Sequence, residues 1–190
     1  HLEDLRELFV QIVRICQDKG LTPLKSVSID GAKLSASASN KQLKDRDALA
    51  KELADIQKQV NEMLDLAQAI DNAEDNIRDG VVSISSADSP LRALEERKQL
   101  LEEAQAKLKA DPDQKRINLT DLDCREQKGI GSGFNAQIAV DGAHLIAADV
   151  VPDPNDVHQL LPMIEQVEHN IPNEAPIQNV NGDSGYASGQ

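Results

Sequence analysis

Apolar residues recur three and four positions apart where the chain begins: Leu5, Leu8, Phe9, Ile12, Val13 and Cys16. That spacing draws one apolar stripe along a helix, and Lys19-Gly20 supplies a basic last turn and a stop. After Pro23 the period falls to two. In VSIDGAKL, Val27 and Ile29 alternate with Ser28 and Asp30 ahead of Gly31, the pattern of a strand.

The longest periodic stretch follows. Leu49, Leu53, Ile56, Val60, Met63, Ala67 and Ile70 alternate steps of four and three residues, and Ile77 completes the register after Glu74 interrupts it. This is a heptad seam. A second helix opens with Ser89 as N-cap and Pro90 at its first position, then repeats Leu94, Leu101 and Leu108 every seven residues. The polar connection GVVSISSADS between them implies an antiparallel helical hairpin, a coiled-coil-like arm, read first as a structural element.

Beyond Asp111-Pro112 the period returns to two. In GFNAQIAV, Phe134, Ala136, Ile138 and Val140 alternate with Asn135, Gln137 and Ala139, so Asn135 and Gln137 are expected on an exposed sheet face. Asp141-Gly142 turns the chain into LIAADVV, closing a β-hairpin. Pro152 and Pro154 break it. Leu160, Leu161, Ile164 and Val167 mark a helix started or kinked by Pro162, and residues 177–180 approach Asp183 as a short strand.

The expected architecture is therefore α/β: a mixed sheet with an inserted antiparallel helical hairpin. Residues 1–40 carry the first helix and core strand, 41–116 the inserted hairpin, and 117–190 the remaining strands and helix. If the last strand lies beside the first, Asp30 and Asp183 come from neighbouring strands and can face one another.

Composition narrows the chemistry. A chain of 190 residues suits one main domain, and with 2% aromatic residues its core must be built from Leu, Ile, Val and Ala. The net charge of −13 argues against a nucleic-acid footprint on these residues, since phosphate contacts need clustered Lys and Arg. The imbalance is concentrated at the end, where residues 117–190 hold 2 basic and 11 acidic side chains. Cys16 and Cys124 lie far apart without metal-site spacing, and no run approaches the roughly 20 apolar residues of a membrane span, so a cytoplasmic protein without membrane contact is expected. The Asn118-Leu119-Thr120 triplet reads as a chance glycosylation match. The chain starts at His1 inside a helical pattern, and both ends read as cut.

Two carboxylates a few ångströms apart repel unless one is protonated or a cation lies between them. Mg²⁺ is the natural guest for such oxygen ligands. With 33 Asp and Glu, spacing alone does not single out one pair. Asp30 and Asp183 each also suit a turn beside glycine, Asp141 suits the turn before Gly142, and His144 and His158 lack partners at metal-ligand spacing. Tyr186 is expected to pack beneath the strand that carries Asp30.

The order of these segments resembles the catalytic domain of bacterial insertion-sequence DDE transposases, which have a ribonuclease H-like fold. The resemblance rests on VSIDGAKLSASAS, on GFNAQIAVDGAHLIAADVVPDPNDVHQLLPMIEQVE and on NVNGDSGYAS. Phe134 stands where the family usually has Tyr, while Asn135, Gln137, Ala139, Val140 and Asp141 match its pattern. Gly182-Asp183-Ser184-Gly185-Tyr186 departs somewhat from its Ala-Asp-Ala-Gly-Tyr.

What the resemblance implies is a phosphoryl-transfer site in which two Asp and one Glu hold two Mg²⁺ or Mn²⁺ ions about 3.5 to 4 Å apart. Asp30 and Asp183 would be the first and second ligands, with Asn135 and Gln137 supporting the site or touching DNA. The Glu would follow residue 190, so these residues alone are expected to cleave nothing, and transposon-end DNA would be held mostly by regions outside them. Two alternatives stay open: a non-enzymatic coiled-coil module or degenerate transposon remnant that forms a homodimer through the hairpin, and another metal-dependent phosphodiesterase on the same fold.

Overall fold

The computed structural model describes residues 1–74, 90–172 and 176–187. Among these, the order is α1 (Leu2–Asp18), β1 (Val27–Ser35), β2 (Leu43–Asp45), α2 (Arg46–Glu74), α3 (Pro90–Ala110), β3 (Arg116–Asn118), β4 (Arg125–Gln127), β5 (Gly131–Asp141), β6 (His144–Val151), α4 (Leu160–Asn170) and β7 (Val180–Asn181). The chain divides into two compact units, His1–Ser37 with Asp123–Gln190, and Ala38–Leu122. No helix among the described residues is long and apolar enough to cross a membrane.

The first unit is a mixed α/β structure. β5 pairs antiparallel with β1 over its whole length, from Val27 opposite Asp141 to Ser35 opposite Gly133. β6 and the short β4 also pair antiparallel with β5, while β7 lies parallel to β1 on the other side. The last strand thus does lie beside the first. It is shorter than expected: Val180 and Asn181 pair with Val27 and Ser28.

One face of this sheet carries the core, where Val27, Ile29, Ala139, Ile146 and Ala147 pack with Met163, Val167 and Ile171 around α4. Pro162 sits in the first turn of α4, where the missing N–H is unneeded, so it starts the helix without kinking it. From α1 only Val13 is fully buried and Phe9 partly so, while Leu5, Leu8, Ile12 and Ile15 stay about half exposed or more. α1 ends as expected: Gly20 takes a positive φ of 72°, and the Leu21 N–H reaches back to the Cys16 carbonyl at 2.9 Å.

β5 reverses the expected facing. Beyond Gly133 its buried positions are Asn135, Gln137, Ala139 and Asp141, whereas Ile138 is 41% exposed, and Leu34 and Val150 on the same face of the sheet are 48% and 55% exposed. The alternation is real, but the polar phase is the inner one. It can be, because Asn135 Nδ2, Gln137 and Asp141 each find a partner, while Asn135 Oδ1 is buried without one. Asp141 shows how: its Oδ2 accepts the Leu24 N–H at 2.6 Å, holding Leu24 at φ 54°, well beyond a local turn role.

The second unit is the helical hairpin on a two-stranded base formed by β2 and β3. Arg46 at the start of α2 donates to the Leu108 carbonyl near the end of α3, and Arg97 reaches Glu52, so the helices run antiparallel. Leu49, Ile56, Val60, Leu101, Ala104 and Leu108 interlock with Ile117 and Leu119. Ile56 and Val60 of the heptad seam are 6% and 7% exposed and already covered within the hairpin. Asp45 caps α2 by accepting the Ala48 N–H at 2.8 Å. Ile77, Ser89, the connecting loop and the side chains of Ala67 and Ile70 lie outside the described residues. Asn118 is fully buried, its amide donating to the Ser39 carbonyl, which leaves no room for a glycan.

Candidate functional site

The parallel pairing of β1 with β7 sets the geometry. Ser28 lies opposite Asn181, and two residues further along each chain stand Asp30 and Asp183. Both carboxylates are exposed. Each accepts one nearby amide: Asp30 from the Gly31 N–H at 2.8 Å, and Asp183 from the Gly185 N–H at 2.7 Å as the cap of a single turn of 3₁₀ helix, Ser184–Tyr186. The turn-capping role expected of Asp183 is therefore present, whereas Asp30 lies within β1 and caps no turn. A carboxylate has about four acceptor positions, so one such bond leaves room for further ligands.

Behind them lies a buried polar chain that the sequence pattern did not announce. Asp156, in the turn between β6 and α4, accepts through Oδ1 from Asn135 Nδ2 at 2.7 Å and Gln137 Nε2 at 2.9 Å. The Lys33 ammonium stands 3.5 Å from the same oxygen. On its other side, Gln137 accepts through Oε1 from the Tyr186 hydroxyl at 2.5 Å. Asn135, Gln137 and Tyr186 are 0%, 1% and 6% exposed. Asn135 and Gln137 thus correct the expectation of an exposed face.

Gly31 makes this packing possible. A Cβ there would stand 2.6 Å from Gln137 Nε2 and 2.8 Å from Asp156 Oδ1, closer than any side chain tolerates. The residue after Asp30 must therefore be glycine for the amides to close against β1.

Electrostatics tie the carboxylates together. Burial alone would raise the Asp156 carboxyl, but the Asn135 and Gln137 amides and the Lys33 ammonium outweigh it and hold the group below its ordinary range. The Tyr186 phenol is pushed up to about 12, by burial first and then by the negative charges of Asp156, Asp30 and Asp183. It is therefore a proton donor at neutral pH and not a base. Among the described residues, no group of three or more His, Cys, Asp or Glu side chains is gathered closely enough to hold a metal ion.

The other residues considered stand apart from this site. His144 opens β6 and is half-buried, His158 is exposed in the turn before α4, and Cys16 and Cys124 are not joined in a disulfide. Asp156 and Lys33 were missed by sequence reasoning. The available signal was the buried-strand demand itself: a polar phase on an inner strand needs a charged partner, and the PNDVH turn supplies one. No protein-family model, no curated protein and no solved structure matches the chain.

Proposed function

We propose that Asp30 and Asp183 are two carboxylate ligands of a divalent-metal centre for phosphoryl transfer on DNA, in a ribonuclease H-like catalytic domain of the DDE transposase kind. The observation that carries this is the β1–β7 register, which sets Val27 and Ser28 beside Val180 and Asn181, two residues before Asp30 on β1 and two before Asp183 at the cap of the turn that follows β7. The donor set fits Mg²⁺ or Mn²⁺: exposed carboxylate oxygens with spare acceptor capacity, free of nitrogen or sulfur ligands that would favour zinc. Two bound ions would supply activation of a water or 3′-hydroxyl nucleophile and neutralisation of the leaving oxygen.

The chain's own residues hold and shape the centre. Asp30 and Asp183 present carboxylate oxygens to solvent, where a phosphodiester can approach. Tyr186 remains protonated and anchors the Asp183 turn through Gln137. The remaining Glu ligand, which the resemblance sets beyond Gln190, and the DNA-binding surface belong to other parts of the parent protein. The acidic charge of residues 117–190 supports that division of labour.

The test is Mg²⁺-dependent nicking of supercoiled plasmid by a chain extended through the next acidic helix. Activity should disappear in Asp30→Asn and in Asp183→Asn, with folding retained. Nicking undiminished in either variant would refute the assignment.

A further inference from the structure

The carboxylate of Asp156 sits one layer behind the Asp30–Asp183 pair. Its Oδ1 is occupied by the two amides and faces the Lys33 ammonium, so that oxygen has little capacity left for a ligand. What it does instead is set a direction. An ionised carboxylate only accepts hydrogen bonds. The Gln137 amide must therefore turn Nε2 toward Asp156 and Oε1 away, which is the orientation that accepts from Tyr186. With the amide reversed, two acceptors would face each other at Asp156, and that Tyr186 acceptor would be lost.

Tyr186 passes the constraint on. Its N–H bonds the Asp183 carbonyl at 3.3 Å within the 3₁₀ turn, and its ring lies so close to Gly182 that a Cβ there would be 3.2 Å from Cδ2. The turn that carries Asp183 is thus pinned from both sides by one tyrosine. At the other end of the chain of bonds, Asp156 and Gln137 press against Gly31, next to Asp30.

We propose that Asp156 is a positioning residue for the Asp30–Asp183 pair, acting through Gln137 and Tyr186 to fix the Asp183 turn against β1. Its consequence for metal affinity rests on the function proposed above; its consequence for Tyr186 does not. Partners of this kind behind metal ligands change affinity about 10- to 100-fold when removed.

Tyr186 is the sole tyrosine and the chain has no tryptophan, so its emission reports on this turn alone. The experiment compares the wild-type chain with Asp156→Ala, Asp156→Asn, Tyr186→Phe and the Asp156→Ala/Tyr186→Phe double variant. Mn²⁺ dissociation constants are measured for all of them, acrylamide quenching for those that keep the tyrosine, and urea midpoints confirm folding. Asp153→Asn removes an aspartate that accepts the Asn155 N–H, and serves as the control for lost charge.

The expected result is about tenfold weaker Mn²⁺ binding and readily quenched emission in Asp156→Ala, with partial rescue in Asp156→Asn, which keeps one acceptor. Asp153→Asn should leave both readouts near wild type. The double variant should bind Mn²⁺ no more weakly than the weaker single one, because both act along one path. Fully additive losses, or losses equal to those of Asp153→Asn, would overturn the proposal. If Asp156→Ala does not fold, Asp156→Asn with Tyr186→Phe carries the same cycle. If the wild-type chain binds no Mn²⁺ saturably, the metal centre is refuted, and the quenching alone decides: emission as shielded in the Asp156 variants as in wild type overturns the positioning role, and exposed emission upholds it.

Discussion

The helical hairpin and the β5 strand bury side chains of opposite character. In the hairpin, Leu49, Leu101, Leu108 and Ile117 are fully buried, and the charges of Glu52, Arg97 and Lys44 sit at its rim about a third exposed. Along β5 the inner positions are Asn135, Gln137 and Asp141, with the apolar Ile138 turned outward. Each fully buried leucine contributes roughly 1.5 to 3 kcal/mol. A buried amide contributes little net and costs about 1 to 3 kcal/mol if its partner is removed. Stability alone explains the first choice and not the second. The polar strand carries a constraint beyond folding, and that constraint points at the turn bearing Asp183.

The sharpest way to break the contrast is to open the hairpin core. Leu101→Ala should cost about 2 to 5 kcal/mol in the second unit, by lost transfer energy and a cavity, read as a drop in urea midpoint. A loss under 1 kcal/mol would mean the two helices do not depend on this seam.

On the polar side, Gln137→Leu should cost roughly 2 kcal/mol, because the Tyr186 hydroxyl is left without its acceptor and Asp156 without one donor. Adding Tyr186→Phe should recover part of that loss, since an apolar pair leaves no orphan hydroxyl. Strictly additive losses in the double-mutant cycle would show the two side chains to be uncoupled.

Titration separates the regions more gently. Asp156 and Glu52 both sit below their ordinary range: burial opposes this, but is outweighed by the amides and Lys33 at Asp156, and by Arg97 and Lys44 at Glu52. A lowered carboxyl adds stability that is complete above its unfolded value of about 3.9 to 4.3 and is lost as pH falls through the folded value. Acid unfolding below about pH 4 should therefore be shallower in Asp156→Asn. At the alkaline end the sign is reversed. The raised phenol adds stability below about 10 that is lost as pH rises through its folded value. Absorbance at 295 nm should show Tyr186 ionising near 12. Ionisation near 10 would show that neither burial nor the aspartates hold the phenol up.

The smallest effect belongs to the hairpin rim. Arg97→Met should cost no more than about 1 kcal/mol, because partly exposed ion pairs are screened and their aliphatic stems still pack. A larger loss would place the Glu52 pair among the buried constraints and erase the distinction drawn above.

Periodicity reached different depths in the two regions for a physical reason. In α2 and α3 the three-and-four spacing has only one way to bury leucines, so the hairpin partners were legible before any coordinates. For β5 a period of two identifies a strand and its two faces, but which face is inward depends on the partners across the fold. The apolar phase was expected inside, and Asn135 and Gln137 went there because Asp156, 19 residues beyond Gln137, supplies their acceptor. The short β2, β3 and β4 carried no pattern at three residues each. Asp30 and Asp183 were legible as a pair only if β7 ran beside β1, a long-range pairing that no local pattern fixes. Asp156 was hidden among the turn residues of PDPND, where an aspartate ordinarily serves the backbone alone.

The most direct test of the metal centre is paramagnetic broadening of backbone amide resonances during a Mn²⁺ titration of the chain. The amides of Gly31 and Gly185, which donate to the Asp30 and Asp183 carboxylates, should broaden first and together at substoichiometric Mn²⁺, and Asp30→Asn should abolish the effect at both. Broadening spread evenly over the acidic surface, with Gly31 and Gly185 no more affected than Glu102 or Glu103, would contradict a metal centre between these strands.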